Sequence, residues 1–188
     1  MSSQGPQHGV PTAATFFVGL RPPPLLADRA LAWQRSLGHE ITEPHVTLKA
    51  PGRLSESQIA ACSEASRGAA PFPVQIGGVQ TFGERVIYLR AEGAGLTTLH
   101  RALVAAVRQE PGDFELDNYH PHLTLAVNWR PMRPGVGDNW SEVRASAEAG
   151  FADLVRTPLD FTAREVVLYR KNAPGRPYVQ DRVWTLGG

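Results

Sequence analysis

The chain has 188 residues, 42% of them hydrophobic and 20% charged, with a formal net charge of +1. That length and balance fit a globular protein that buries a core, and they exclude a strongly basic coat for nucleic acid, so any RNA contact is local. A single cysteine, Cys62, excludes an internal disulfide and a cysteine-based zinc cluster, and no apolar run reaches the roughly 18 residues that span a membrane.

Met1 to Pro11 is polar, with Gly and Pro, and reads as a flexible tail on a cytoplasmic protein. Residues 12–188 read as one domain. Ala14 to Leu20 is a short apolar run that predicts a buried strand, stopped by Pro22, Pro23 and Pro24. One of Phe16 and Phe17 is expected in the core and the other in a cleft. Leu26, Ala30, Trp33 and Leu37 recur at helical spacing, closed by Gly38. His45 to Lys49 is a second strand. Ser55 with Gln58 three residues on is a capping-box pattern, opening a helix to about Arg67 that holds Cys62 as a buried thiol.

Phe72 to Val79 and Val86 to Ala91 predict two strands joined by a turn. Leu96, Leu99, Leu103 and Val107 mark an amphipathic helix. His122 to Trp129 is the next strand, Arg130 to Asn139 a loop, and Trp140 to Leu154 a helix weakened by Gly150. Phe161 to Arg170 and Tyr178 to Leu186 predict a closing hairpin.

The order of elements repeats. Pro44-His45-Val46-Thr47-Leu48 and Pro121-His122-Leu123-Thr124-Leu125 agree at four of five positions, and their histidines lie 77 residues apart. Internal duplication explains this better than chance, with repeat halves at roughly 12–93 and 94–188. Two similar α+β lobes would then face each other across a groove.

On a strand, positions i and i+2 share a face. His45 with Thr47, and His122 with Thr124, would therefore project side by side, while Val46, Leu48, Leu123 and Leu125 turn into the core. A neutral imidazole can take a proton from water and a protonated one can give a proton to a departing oxygen. The two threonine hydroxyls can hydrogen-bond the nonbridging oxygens of a phosphodiester. A single His-x-Thr would more often be structural; two matched copies favour catalysis. The scheme needs no metal and no cofactor. His120 and His122 share a face at a metal-binding spacing, but no carboxylate accompanies them in a recognisable motif.

This constellation closely resembles the two-histidine (2H) phosphoesterase superfamily, in particular its branch of bacterial RNA 2′,3′-cyclic phosphodiesterases and 2′-5′ RNA ligases. The resemblance implies a bilobal α+β fold, two antiparallel sheets lining a central cleft with helices outside. It implies hydrolysis of a terminal 2′,3′-cyclic phosphate to a 2′-phosphate, with 2′-5′ ligation as a related activity. It also implies that His122 acts as base and His45 as acid. Partners would be RNA ends or small cyclic-phosphate nucleotides, and the protein a monomer. Many members of that branch carry an arginine five residues after the second motif histidine; here that position is Val127. Arg130 eight residues after His122, Arg53 eight after His45, Lys49 and Tyr169 are the candidates for holding substrate phosphates. Rival readings are a noncatalytic nucleotide-binding module and a 2H enzyme acting on ADP-ribose 1″,2″-cyclic phosphate or on RNA 3′ ends.

Overall fold

The computed structural model describes residues 14–39, 42–136 and 139–188. The N-terminal stretch Met1–Pro11, read above as a tail, lies outside the described residues. The strands are β1 (Thr15–Leu20), β2 (Val46–Gly52), β3 (Phe72–Phe82), β4 (Val86–Glu92), β5 (His122–Val127), β6 (Leu159–Ala163), β7 (Glu165–Lys171) and β8 (Val179–Thr185). The helices are α1 (Pro24–Ser36), α2 (Glu56–Arg67), α3 (Ala94–Val107), α4 (Trp140–Gly150) and α5 (Asp153–Arg156). None of the described helices is long and apolar enough to cross a membrane.

Local chemistry accounts for most boundaries. Pro24 opens α1, where a missing N–H costs nothing. Ser55 and Gln58 form the expected capping box at α2: the Gln58 main-chain N–H donates to Ser55 Oγ at 3.3 Å, and Ser55 N–H donates to Gln58 Oε1 at 2.9 Å. The Leu96, Leu99, Leu103 and Val107 face of α3 is fully buried. Cys62 is buried too, and burial pushes its thiol up to about 11. The helix expected over Trp140–Leu154 breaks at Gly150 and restarts as α5.

The eight strands form one antiparallel sheet in the order β6-β3-β4-β5-β2-β1-β7-β8, not the two separate sheets that the sequence led us to expect. Two quartets meet at the centre, where β2 and β5 pair at a single position, Val46 opposite Leu123. The quartets cut across the 12–93 and 94–188 division: β3 and β4 stand with β5, and β7 and β8 with β1 and β2. The repeated unit is strand–helix–strand, β1-α1-β2 and β4-α3-β5; after the first the chain crosses at once to β3 in the other quartet, and after the second it crosses only between β6 and β7.

The expected closing hairpin is β7 with β8, but the run Phe161–Arg170 is two strands, not one. β6 pairs with β3 at one end of the sheet and β7 with β1 near the other, and only Arg164 separates them. A one-residue link between distant positions requires the sheet to curl. No Gly or Pro marks the break, so alternation alone reads straight through it.

Beyond Val46 and Leu123 the central strands lose each other, and side chains take over the exposed backbone. On β2, Tyr119 Oη donates to Thr47 O (2.8 Å), His100 Nδ1–H to Leu48 O (2.7 Å), and Ala50 N–H to Glu115 Oε1 (3.1 Å). On β5, Gln34 Nε2 donates to Thr124 O (3.2 Å) and Leu125 O (3.1 Å), and Val127 N–H to His39 Nε2 (3.2 Å). The six backbone groups match pairwise at the same 77-residue offset, though the side chains that hold them differ. Buried polar groups left unpaired are costly, so both edges are satisfied by other means.

Glu115 also pairs with Lys49 Nζ at 2.7 Å and accepts from Gly112 N–H at 2.8 Å. Burial pushes its carboxyl up, but the bonds from Lys49, Gly112 and Ala50 outweigh this and hold it below the ordinary glutamate value. Glu115→Ala would strand a buried ammonium and two main-chain donors. We expect a loss of about 3–5 kcal/mol in denaturant unfolding. Because the folded-state value is depressed, the stabilisation from Glu115 should be present above the unfolded glutamate pKa and fade as pH falls through the folded one. A loss under about 1 kcal/mol, the range of an exposed ion pair, would show that the seam does not depend on this carboxylate.

Candidate active site

The single β2–β5 pairing joins the middle residues of the two His-x-Thr motifs. Antiparallel register then sets His45 across from Thr124 and Thr47 across from His122, on one face of the sheet. Residues directly opposite in such a pair have Cβ atoms roughly 4.5–5.5 Å apart. Val46, Leu48, Leu123 and Leu125 point the other way, into the core shared with α1, α2 and α3. By this register the four motif side chains form a two-by-two block. A cleft of about 200 Å³ opens over it, walled by His45, Thr47 and Thr124 with Glu43, Trp129 and Arg130. His122 is not part of that wall; it stands opposite Thr47 in register, near enough for its charge to act on His45.

Each imidazole is anchored in the same way. His45 Nδ1–H donates to Glu43 O at 2.6 Å, and His122 Nδ1–H to His120 O at 2.7 Å. With the proton held at Nδ1, Nε2 is the nitrogen left for chemistry. Each ring also rests against aromatic side chains. Phe17 and Tyr169 lie 4.6 and 5.5 Å from His45, centroid to centroid; Phe82 and Tyr88 lie 5.0 and 5.1 Å from His122. Gly19 makes the first bed possible, because a Cβ there would meet the Phe17 ring at 3.1 Å and the Tyr169 ring at 3.2 Å.

Burial depresses both imidazoles below the ordinary histidine value. For His45 the Glu43 carbonyl and carboxylate pull upward, and the His122 charge lowers it further. For His122 the His120 carbonyl pulls upward and the His120 charge pulls down.

The other sequence candidates divide. Arg130 lines the cleft. Arg53 is exposed beyond the end of β2, and only its carbonyl is engaged, by Gln109 Nε2. Lys49 is not on the His45 face. β2 carries a bulge between Thr47 and Lys49, opposite Gly19 and Val18, which turns Lys49 into its buried pair with Glu115. Tyr169 is wholly buried; its ring stacks on Phe17 at 4.5 Å and its hydroxyl donates to Glu43 Oε1 at 2.8 Å. It therefore packs beside His45 and does not line the cleft. Phe17 is the cleft-side member of its pair, and Phe16 packs in the main core.

Sequence reasoning missed Glu43, Trp129 and Tyr178 in the cleft wall. Glu43 was open to discovery through the repeat, since it stands two residues before His45 as His120 does before His122. Trp129 was read as the end of a strand, but β5 stops at Val127 and Trp129 sits in the following turn. Among the described residues, no three His, Cys, Asp or Glu side chains cluster as a metal site.

A family model described as the 2′-5′ RNA ligase superfamily matches residues 22–175. Among solved structures, E. coli LigT complexed with NADP+ is similar at 21% identity, with a TM-score of 0.59 over 92% of this chain and 98% of that one. E. coli LigT complexed with 3′-AMP is 22% identical, with a TM-score of 0.59 over 92% and 98%. TT0787 of Thermus thermophilus is 21% identical, with a TM-score of 0.61 over 93% and 98%. At this identity the structures establish a shared fold. No curated protein matches in sequence.

Two depressed imidazoles beside one cleft should couple anion binding to proton uptake. Sulfate, a tetrahedral dianion that does not titrate near neutrality, should bind more weakly as pH rises from 6 to 8, approaching about tenfold per pH unit for one linked proton. Calorimetry in buffers of different ionisation enthalpy reads the proton directly. Binding heats independent of the buffer would contradict this coupling.

Proposed function

Since the chain belongs to the 2′-5′ RNA ligase superfamily, we propose that its cleft opens a 2′,3′-cyclic phosphate at the end of RNA or on a nucleotide, leaving a 2′-phosphate. The observation that supports this reading is the β2–β5 register, which sets His45 opposite Thr124 and His122 opposite Thr47, with His45, Thr47 and Thr124 lining the cleft.

In hydrolysis, neutral His122 takes a proton from water through Nε2 as the water oxygen attacks phosphorus. The P–O3′ bond breaks, and protonated His45 gives its proton to O3′. The Thr47 and Thr124 hydroxyls donate to the nonbridging oxygens, where charge gathers in the transition state. Water is added across the bond and the two histidines finish with exchanged protonation. The same course, with a 5′-hydroxyl in place of water, is 2′-5′ ligation. Arg130 on the cleft rim suits a neighbouring phosphate.

Trp129 suits the base. It is 57% exposed on the cleft wall, and the Arg85 guanidinium stands 5.4 Å from its ring centroid. An exposed indole beside a phosphate site is a stacking platform for a nucleobase, an interaction worth about 1–3 kcal/mol.

The test is incubation with a 2′,3′-cyclic nucleotide and with an oligonucleotide ending in a cyclic phosphate, in EDTA. We expect turnover of both, lost in His45→Ala and His122→Ala while circular dichroism stays native. Thr47→Ala and Thr124→Ala should each slow the reaction roughly tenfold to a thousandfold, as for loss of one transition-state hydrogen bond. Binding without turnover would instead make the protein a nucleotide-binding module, and full rates in both threonine variants would remove their assigned role. Trp129→Ala should raise KM for the cyclic nucleotide about tenfold with little change in kcat, within the range for one lost stacking contact. An unchanged KM would exclude Trp129 from base contact.

A further inference from the structure

The repeat makes the two histidines nearly equivalent. They share the Nδ1 anchor, the aromatic bed and the facing threonine. The equivalence fails at one pair of positions. Glu43 and His120 each stand two residues before a motif histidine, and each gives the carbonyl that receives its Nδ1 proton. Their side chains are of opposite character. One is a carboxylate and the other an imidazole that can only be neutral or positive.

Glu43 is fixed in place. Its Oε1 accepts from Tyr169 Oη and from Gln180 Nε2, both at 2.8 Å, and the Tyr169 ring lies 5.5 Å from that of His45. His120 lies against the other histidine's surroundings, its ring 6.3 Å from Phe82, which is itself 5.0 Å from His122.

The remaining neighbours do not restore the balance. His45 meets Phe17 from β1, Tyr169 from β7 and the His122 charge from β5, with Arg130 on the cleft wall. His122 meets Phe82 from β3 and Tyr88 from β4. Arg90 of β4 stands opposite it in register, with its guanidinium paired to Glu92 at 2.8 Å. Among the described residues, the charge that acts on His122 is that of the His120 imidazole, and no carboxylate offsets it. A negative neighbour favours the protonated imidazole and a positive one disfavours it.

We propose that Glu43 and His120 are positioning residues that break the symmetry of the site: the Glu43 carboxylate keeps the working proton on His45, and the His120 imidazole keeps it off His122. His45 is then the acid and His122 the base when a cyclic phosphate is opened. The naming of acid and base rests on the phosphoesterase reading; the placement of the proton does not.

The test is an NMR titration of the histidine ring Cε1–H signals in the intact protein with sulfate bound. His45 should titrate at higher pH than His122. Glu43→Gln keeps an acceptor for Tyr169 and Gln180 but removes the charge; it should lower the His45 midpoint by about half a pH unit or more and leave His122 in place. His120→Asn keeps the carbonyl and should raise the His122 midpoint, leaving His45. A His122 midpoint above that of His45, or a His45 midpoint unmoved in Glu43→Gln, would overturn the proposal.

The pH profile of kcat/KM gives an independent reading. Its alkaline limb should move to lower pH in Glu43→Gln, and its acid limb to higher pH in His120→Asn. A structural role alone would lower the profile without moving either limb, which also counts against the proposal. A wild-type protein without turnover would count against the phosphoesterase reading only, since the ring midpoints still decide where the proton sits.

Discussion

The pairing of Val46 with Leu123 is the contact on which the rest of the molecule depends. Among the described residues it is the one place where the two quartets share backbone register, and it lies between the motif histidines. Side chains alternate across a strand, so burying these two apolar residues obliges His45, Thr47, His122 and Thr124 to face the opposite side. A slip of one residue would turn the imidazoles into the core and the valine and leucine into the cleft. Core packing and site assembly are therefore a single requirement.

The sheet opens immediately past that pair, beneath the cleft. The cost of this opening is a row of main-chain groups with no strand to bond. Gln34 and His39 meet that cost on one side, and His100, Glu115 and Tyr119 on the other. These polar residues bond the facing backbones of β2 and β5 in place of a neighbouring strand. His100 shows how far this goes: it donates to Leu48 O through Nδ1, accepts Leu116 N–H at Nε2, and stacks on Tyr119 at 3.9 Å. A histidine satisfied on both nitrogens is a structural histidine, in contrast to His45 and His122, which are anchored through Nδ1.

Much of this was legible in the amino-acid order. Two copies of Pro-His-x-Thr-Leu, each with apolar residues at alternate positions, predicted both the strands and the face bearing the polar side chains. Ser55 with Gln58 and the leucine spacing of α3 predicted their helices for local reasons that survive in the fold. What stayed hidden depends on distant partners. Lys49 continues the alternation on paper, and only the bulge against Gly19 and Val18 turns it inward. Phe161 to Arg170 reads as one strand because nothing local marks Arg164. Tyr169 looked like a substrate contact because its burial comes from Phe17, far away in sequence.

The crossing of strands between quartets has a further consequence. Severed in the turn between β3 and β4, the chain would yield two pieces, each holding strands that belong to both sides of the sheet. Neither piece could close its own layer; each would need the other to complete it. A solitary copy of the repeat would meet the same difficulty, and its simplest remedy is exchange of the crossing strand with an identical partner. The interleaved monomer thus has the strand connectivity of a domain-swapped pair joined end to end.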